Sequence, residues 1–465
     1  MKRLAASLVH RVARHPLARQ LREAAQGAGV DVWLVGGFVR DAALSAPSHD
    51  IDLVCGGPAS RLIRDLESRW GKRGFRFRRR GVTTWRFAVG DSAVDIVDAA
   101  RRGLHEDLRR RDFTVNAVAF DVVRRTVSDP LRGLEDLRAG RLRLCRRDAV
   151  RDDPLRALRA VRFLAQFPEW RLLPAARAEV AAVAPRLCRV AVERVREELN
   201  RLLLSASPSR GLRAATALGL IDPLLPELSP MRDCVAGRDR PDVWRHTLDA
   251  IALTENPGQR RLPGHRVVRD DGDRRRLRWS LLLHDISKPE TLAHRPEDGR
   301  PSFHGHEALG AGRAEGLLSR LRCSRPERRR IARLVSLHLR PGHLADAGPT
   351  ARGLRRLVRD AGEDLPVLVL HAACDALASG SPDARPRWRR LRTVLTRLLE
   401  LRHQLGDVPP PLLLNGLDVM RRLGVAAGPR VGEILRQLRE KQDAGTLRTR
   451  RQALAWLVSL ESVGR

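Results

Sequence analysis

Asp50 and Asp52 stand two residues apart in the apolar run Asp50-Ile51-Asp52-Leu53-Val54. Side chains of an extended chain alternate between faces, so both carboxylates emerge on one side. Carboxylates crowded together beside apolar residues repel and lose hydration unless a cation joins them. Mg²⁺ suits the pair, because it takes carboxylates together with substrate phosphates. Just upstream, Gly36-Gly37 ends a second apolar run, Val32-Trp33-Leu34-Val35. Glycine there lets the backbone come close to a phosphate. Arg40 follows within a turn and can reach the same phosphate with a bidentate guanidinium. Asp95, in Val94-Asp95-Ile96, is a third carboxylate able to complete a two-metal site. Alone, each motif fits a solvated edge strand or a plain turn. In the order strand, Gly-Gly-x-x-Arg-Asp, then Asp-x-Asp, they are far more specific.

Two further constellations lie downstream. Asp153 and Arg156 are three apart, which on a helix places them on one face. Together they offer an acceptor beside a donor fork, a match for the pairing edge of a base; the bland alternative is a surface ion pair. Residues 243–375 carry His246, His284-Asp285, His304, His306, His338 and Asp375. Imidazoles with carboxylates suit a transition metal or Mg²⁺.

The elements that must position these groups follow from periodicity. Residues 17–29 and 61–70 have helical spacing, and a short helix is expected from Phe38 to Leu44. Val32–Val35, Asp50–Val54, Phe75–Phe77, Thr84–Val89 and Val94–Val97 read as strands. That makes a small mixed α/β unit. From Pro154 onward nearly everything is helical, broken at proline and glycine clusters near 206–210, 223–242, 256–273, 340–350, 379–386 and 408–411. The basic, amphipathic start, residues 1–16, reads as a helix rather than a secretory signal.

The 465 residues carry 88 Lys+Arg against 55 Asp+Glu, a net charge of +33. Only Lys2, Lys72, Lys288 and Lys441 are lysines. A GC-rich genome accounts for the choice of arginine, but the excess of positive charge points to a polyanion, nucleic acid before an anionic membrane. With 4% aromatic residues and no Tyr, a single-strand binder built on stacked aromatics is disfavoured, and phosphate contact to a folded nucleic acid is expected. No run of about 18 apolar residues is present. The six cysteines are scattered without a C-x-x-C pair, which predicts a reducing, cytoplasmic setting and no cysteine zinc site.

Leu34-Val35-Gly36-Gly37-Phe38-Val39-Arg40-Asp41, followed by Asp50-Ile51-Asp52-Leu53-Val54, resembles the head of the class II tRNA nucleotidyltransferase and bacterial poly(A) polymerase family. Arg110-Arg111-Asp112-Phe113-Thr114-Val115-Asn116-Ala117 is similar to its second motif. Asp152-Asp153-Pro154-Leu155-Arg156-Ala157-Leu158-Arg159-Ala160-Val161-Arg162-Phe163 is similar to its nucleotide-selecting helix, with Asp152 where Glu is usual. Asp129-Pro130 and Gly133-Leu134-Glu135-Asp136-Leu137 fit the segment between, so the likeness covers roughly 30–205. Leu281-Leu282-Leu283-His284-Asp285-Ile286-Ser287-Lys288-Pro289 and Phe303-His304-Gly305-His306-Glu307 look like the HD metal-binding domain fused to this family. Gly428-Pro429-Arg430-Val431-Gly432 looks like its tail signature, where a helix N-terminus would approach a phosphate.

The resemblance implies an α+β fold: a polymerase-beta-like nucleotidyltransferase head over 1–145, a helical neck over 146–235 that selects the nucleotide and binds RNA, an HD domain over 236–380, and a helical RNA-binding tail over 381–465. It implies that Asp50 and Asp52 hold Mg²⁺, with Asp95 aiding deprotonation of an RNA 3′-hydroxyl. Gly36, Gly37, Arg40, Arg111, Arg159 and Arg162 would hold the triphosphate of CTP or ATP, and Asp153 with Arg156 would select the base. In the HD site His246, His284, Asp285 and Asp375 would be ligands to a divalent transition metal, with His306 and His338 as additional ligands and His304 a weaker candidate. The implied substrate is tRNA, receiving the C or A residues of its 3′-terminal CCA. Only 15 residues separate Asp95 from Arg111. Many relatives that add all three bases have a longer flexible segment here, and a short one has less reach, which favours addition of CC alone. The rivals are a poly(A) polymerase, an HD phosphohydrolase on a spent head, and a non-catalytic RNA-binding protein.

Overall fold

A computed structural model describes residues 2–48, 50–79, 82–90, 92–99, 103–235, 241–256, 261–268, 270–379, 384–405, 411–443 and 445–460. The chain divides into two compact units, Met1–Glu198 with Ala214–Leu224 and Leu199–Arg213 with Leu225–Arg465.

The first unit is built on seven strands: β1 (Val32–Val35), β2 (Asp50–Cys55), β3 (Phe75–Arg79), β4 (Val82–Val89), β5 (Ser92–Asp98), β6 (Ala119–Asp121) and β7 (Val127–Ser128). Their order is β3-β4-β5-β2-β1-β6-β7. Within this sheet only β2 and β5 run parallel and the other described pairs are antiparallel; a separate pair in the same unit, Arg141–Leu142 with Arg171–Leu172, is also parallel. Alternation along β2 decides which side chains meet what. Ile51 and Leu53, 1% and 0% exposed, share one face with Leu34 and Phe120 of the neighbouring strands. Asp50, Asp52 and Val54 share the other. There Val54 packs with Val35, Ala99, Leu108, Ala117 and Ala119. The carboxylate face is thus apolar at one end of β2 and acidic at the other.

The five expected strands are present; Val32–Val35 has the expected bounds, and the other four are extended by a residue or more at one or both ends. β6 and β7 were not foreseen, since two or three residues carry no readable alternation. The basic start forms a helix, Lys2–Arg14, followed by Pro16–Ala28.

One expectation about positioning fails. Asp153 and Arg156 do not share a helix face. Ala149–Asp152 is one short helix, Asp153 is extended (φ −141°, ψ 96°), and a second helix, Leu155–Gln166, starts after Pro154. A residue before proline is driven out of the helical region by the proline ring, so Asp153 lies in the joint between two helices. It stays near Arg156 because the Arg156 amide donates to the Asp153 carbonyl at 2.9 Å.

The second unit is helical apart from the small hairpin Ala293–His294 with Pro301–Ser302. The residues expected to hold a metal there lie on Val243–Leu253 (His246) and Leu365–Ala378 (Asp375), at the start of His306–Arg320, and just past the ends of Asp271–Leu283 (His284, Asp285) and Arg325–Leu337 (His338). Asp242, Asp270 and Ser324 cap three of these by accepting amides of the first turn. Further on, Gly416–Leu423 opens with a reciprocal Asn415/Asp418 cap, and a helix begins at Pro429 inside the Gly428–Gly432 motif. Leu414, Val419, Leu438, Ala453 and Leu457 form that end's core. Among the described residues no helix is long and apolar enough to cross a membrane.

Candidate active site and metal centre

Strand register brings the three head carboxylates together. Asp52 is the partner of Val35 on β1 and of Asp95 on β5. Asp95 in turn faces Arg86 on β4. Arg86 clamps Asp95 with both arms of its fork, Nε to Oδ1 at 2.7 Å and Nη2 to Oδ2 at 2.6 Å. Asp50 is exposed at the start of β2. Asp52 keeps 45% of its side chain accessible and has Arg111 Nη1 at 4.0 Å. Loss of hydration raises its pKa, the Asp95 and Asp50 charges add to the rise, and Arg111 opposes it. This strain is what a divalent cation relieves, and an all-carboxylate donor set suits a hard one.

The Gly-Gly turn abuts the same group. Gly36 has φ +76°, and a Cβ there would stand 2.6 Å from Asp52 Oδ2 and 2.9 Å from Arg111 Nη1. Any side chain at this position would push on the carboxylate itself.

The arginines foreseen as phosphate ligands are differently engaged. Arg111 is braced by Asp107 at 3.0 Å. Arg40 is buried: Nε donates to Asp41 at 2.8 Å, Nη1 donates to Asn116 at 2.7 Å, and its plane lies over Phe163 and Phe167. Arg159 reaches Asp112 at 2.9 Å and lies 3.7 Å from Glu198, while Arg162 is held by Glu198 at 2.8 Å. Asp112 is the hub of this lattice. Its Oδ1 also accepts the Phe113 amide and the Asn116 side chain. Burial alone would raise its pKa, but Arg159, Asn116 and Arg156 hold it down at about 2.

Asp153 accepts two bonds from Arg194, at 3.3 and 2.7 Å. Arg156 donates to the backbone carbonyls of Arg110 at 2.7 Å and Ala149 at 3.0 Å. Arg86, Arg194, Asp112 and Glu198 were therefore missed as members of the site. Asp112 lay inside a quoted motif, and Arg194 and Glu198 are one turn apart on the Val192–Leu204 helix. Arg86 carried no local signal, since only the β4–β5 register reveals it.

In the second unit, four imidazoles converge on Asp285. His284 Nε2 lies 3.1 Å from Oδ2 and His246 Nε2 3.9 Å; His306 Nε2 lies 3.3 Å from Oδ1 and His338 Nε2 3.9 Å. Asp375 joins from the other side, 2.8 Å from His246 and 3.5 Å from His284. The Nδ1 atoms of His284, His306 and His338 each face a carbonyl, of Leu281, Phe303 and Val335, at 2.6–2.8 Å. That fixes Nδ1 as the protonated nitrogen and turns Nε2 inward as a donor to metal. The fully buried His284 Nε2 and Asp285 Oδ1 have no hydrogen-bond partner among the described residues, an arrangement that suits a cation. The atoms able to hold a metal form two overlapping groups that share Asp285: His246, His284, Asp285 and Asp285, His306, His338. His304 is exposed and outside. Lys288, 2.6 Å from Asp285, and His371, packed edge-on against His284, were not foreseen. Burial favours neutral His284, but Asp285 and Asp375 raise it to about 10. Burial and His284 push His338 down to about 4. A cavity of about 260 Å³ adjoins the cluster, lined by His246, Lys288, His338, Asp375 and Trp388.

Comparison with known proteins matches three stretches of the chain to known families. Residues 32–143 match the Poly A polymerase head domain, 171–232 the probable RNA and SrmB-binding site of polymerase A, and 243–379 the HD domain. An A-adding tRNA nucleotidyltransferase of Deinococcus radiodurans is 38% identical over 434 residues, covering 91% of this chain and 94% of the relative. The chain belongs to the tRNA nucleotidyltransferase family. A CC-adding tRNA nucleotidyltransferase of Thermus thermophilus is 34% identical over 92% of this chain and 93% of its own length. The Bacillus stearothermophilus CCA-adding enzyme, solved in complex with CTP, shares the fold at a TM-score of 0.65 and 23% identity, covering 97% of this nucleotidyltransferase and 98% of that chain.

Proposed function

We propose that this enzyme transfers C or A residues from CTP or ATP to the 3′ end of tRNA. The RNA 3′-hydroxyl attacks the α-phosphorus, the new O3′–P bond forms, and pyrophosphate leaves. The observation that carries this reading is the row Asp52–Asp95 with Gly36 pressed against Asp52. Asp50, Asp52 and Asp95 would hold Mg²⁺, which neutralises phosphate charge and polarises the reacting phosphoryl group. Gly36 and Gly37 leave room for the triphosphate. Arg111 and Arg159 lie beside the carboxylates and counter its charge, while Arg40 and Arg162 brace the pocket wall from within. Asp95 Oδ accepts the proton of the 3′-hydroxyl, with Arg86 fixing its direction. Asp153, steered by Arg194, and Arg156, steered by the Arg110 and Ala149 carbonyls, present acceptor and donors to the base edge. The surplus of positive charge supports a phosphate-rich partner.

A- and CC-adding relatives both align over nine-tenths of this chain. With the short Asp95–Arg111 span, this supports one partial step of CCA synthesis, completed by another enzyme. The test is tRNA lacking its 3′ end, and tRNA ending in CC, each given labelled CTP or ATP. Addition of all three bases to the first substrate contradicts the partial step.

We further propose a metal-dependent phosphoesterase in the second unit, supported by the unpartnered His284 and Asp285 atoms. His246, His284, Asp285 and Asp375, with His306 and His338, would hold divalent cations; imidazole donors favour a transition metal, which activates water. Metal analysis with a phosphoester assay, for wild type and a His284→Ala/Asp285→Ala double variant, checks it. All six cysteines are free, which supports a reducing, cytoplasmic setting.

A further inference from the structure

The row through Asp52 and Asp95 continues past Arg86. Phe75 on β3 is the register partner of Arg86. Val35, Asp52, Asp95, Arg86 and Phe75 therefore stand side by side across five strands, and cross-strand partners point to the same face. At about 4.8 Å per strand, Phe75 lies roughly 14 Å from Asp52. Phe77, two residues along β3, shares that face. The two rings are stacked, with centroids 6.1 Å apart and planes 27° apart, and the Arg86 guanidinium lies 5.8 Å over Phe77. Phe75 is 69% exposed, the highest exposure among the large apolar side chains of the described residues. β3 is an edge strand of the sheet; exposed Arg73 lies just before it, while Arg76 and Arg78 alternate to the opposite face and add positive charge along the edge.

Exposed Phe75 stacked on half-buried Phe77, with a guanidinium over the second ring on a basic edge strand, makes a surface for single-stranded RNA. Bases stack on aromatic and guanidinium planes whatever their identity, and arginines follow the backbone. The chain has only nine phenylalanines, yet two of them meet on the face that carries the carboxylates. We propose that Phe75 and Phe77 are positioning residues that stack the unpaired bases of the tRNA 3′ strand a few nucleotides upstream of the reacting hydroxyl. Arg86 then serves both ends of the row, tethering Asp95 and facing the platform. This rests on the nucleotide-addition reading for the place of the 3′-hydroxyl.

The test uses the full chain and tRNA lacking its CCA, with 2-aminopurine near the 3′ end. Stacking quenches the probe on binding. Phe75→Ala removes the quench and raises KM for tRNA about tenfold, with kcat and CTP or ATP affinity unchanged; Phe75→Trp restores both readouts and Phe75→Leu does not. Because Phe75 is exposed, its variants keep the wild-type melting temperature. Unchanged quench and KM in Phe75→Ala, or equal rescue by Leu and Trp, overturns the platform. So does an abasic 3′ nucleotide that costs wild type and Phe75→Ala the same. A wild-type protein that quenches the probe yet adds no nucleotide would keep the platform and remove the nucleotide-addition reading.

Discussion

Gly36→Ala should damage chemistry far more than stability. Gly36 sits at φ +76°, ψ −142°, a region that side chains rarely enter, so alanine costs of the order of 1–3 kcal/mol. That corresponds to a melting point about 2–4 °C lower per kcal/mol for a unit of this size. The new methyl would stand 2.6 Å from Asp52 Oδ2. Ordinary C···O contact begins near 3.3 Å, so the carboxylate must retreat by about 0.7 Å or more. A misplacement near 1 Å at a reacting centre costs about hundredfold in rate. Gly71→Ala is the control. Gly71 also has positive φ, +61°, but a Cβ there meets nothing within 4 Å. Gly71→Ala, in the milder left-handed region (φ +61°, ψ 25°) with open space, should melt lower by no more than Gly36→Ala, and only Gly36→Ala should lose nucleotide incorporation. Single-turnover addition of labelled nucleotide to tRNA, beside thermal melts, separates the two effects. Gly36→Ala turning over within threefold of Gly71→Ala would refute the placement of Gly36 against a working carboxylate.

Other expectations are sharper for being separable. Asp112, held at about 2 instead of 3.8, contributes on the order of 2 kcal/mol of stability at neutral pH. Its folded pKa is depressed, so that share is complete above about pH 4 and is lost as pH falls through about 2. Denaturant titrations of wild type and Asp112→Asn should converge across that window, and a gap independent of pH would contradict the cause. The His284→Ala/Asp285→Ala double variant should lose bound metal and phosphoesterase activity while retaining nucleotide addition; unchanged metal content would assign the cation elsewhere. Binding of tRNA should weaken steeply as salt rises, because many arginine–phosphate contacts release counterions. A flat plot of log K against log salt would count against a phosphate-rich partner.

Much of the head was legible because its strands are short apolar runs that alternate and stop at glycine. Asp50 and Asp52 on one face needed nothing beyond that alternation. The histidine cluster was legible as a set, since His284-Asp285 closes an apolar helix. What was hidden depends on contacts distant in sequence. The Asp95–Arg86 clamp exists only through the β4–β5 register. The Asp153–Arg194 pair joins residues forty-one apart. The joint at Asp153 was readable from Pro154 by local sterics, but helical spacing on either side masked it. Arg40 and Arg162 look like free cations in the sequence, and only burial against Asn116 and Glu198 gives them a bracing role.

The central claim is that the row of carboxylates beside Gly36 performs nucleotide addition to RNA. The most direct measurement is incorporation of labelled CTP and ATP into tRNA lacking its 3′ end, and into tRNA ending in CC, by wild type, Asp50→Ala and Asp52→Ala, with tRNA binding measured in parallel. Wild type should extend at least one of these substrates. Both variants should bind tRNA nearly as well and incorporate below about one per cent of wild type, the scale of losing several kcal/mol of metal-assisted catalysis. Incorporation by Asp52→Ala close to the wild-type rate would contradict the account.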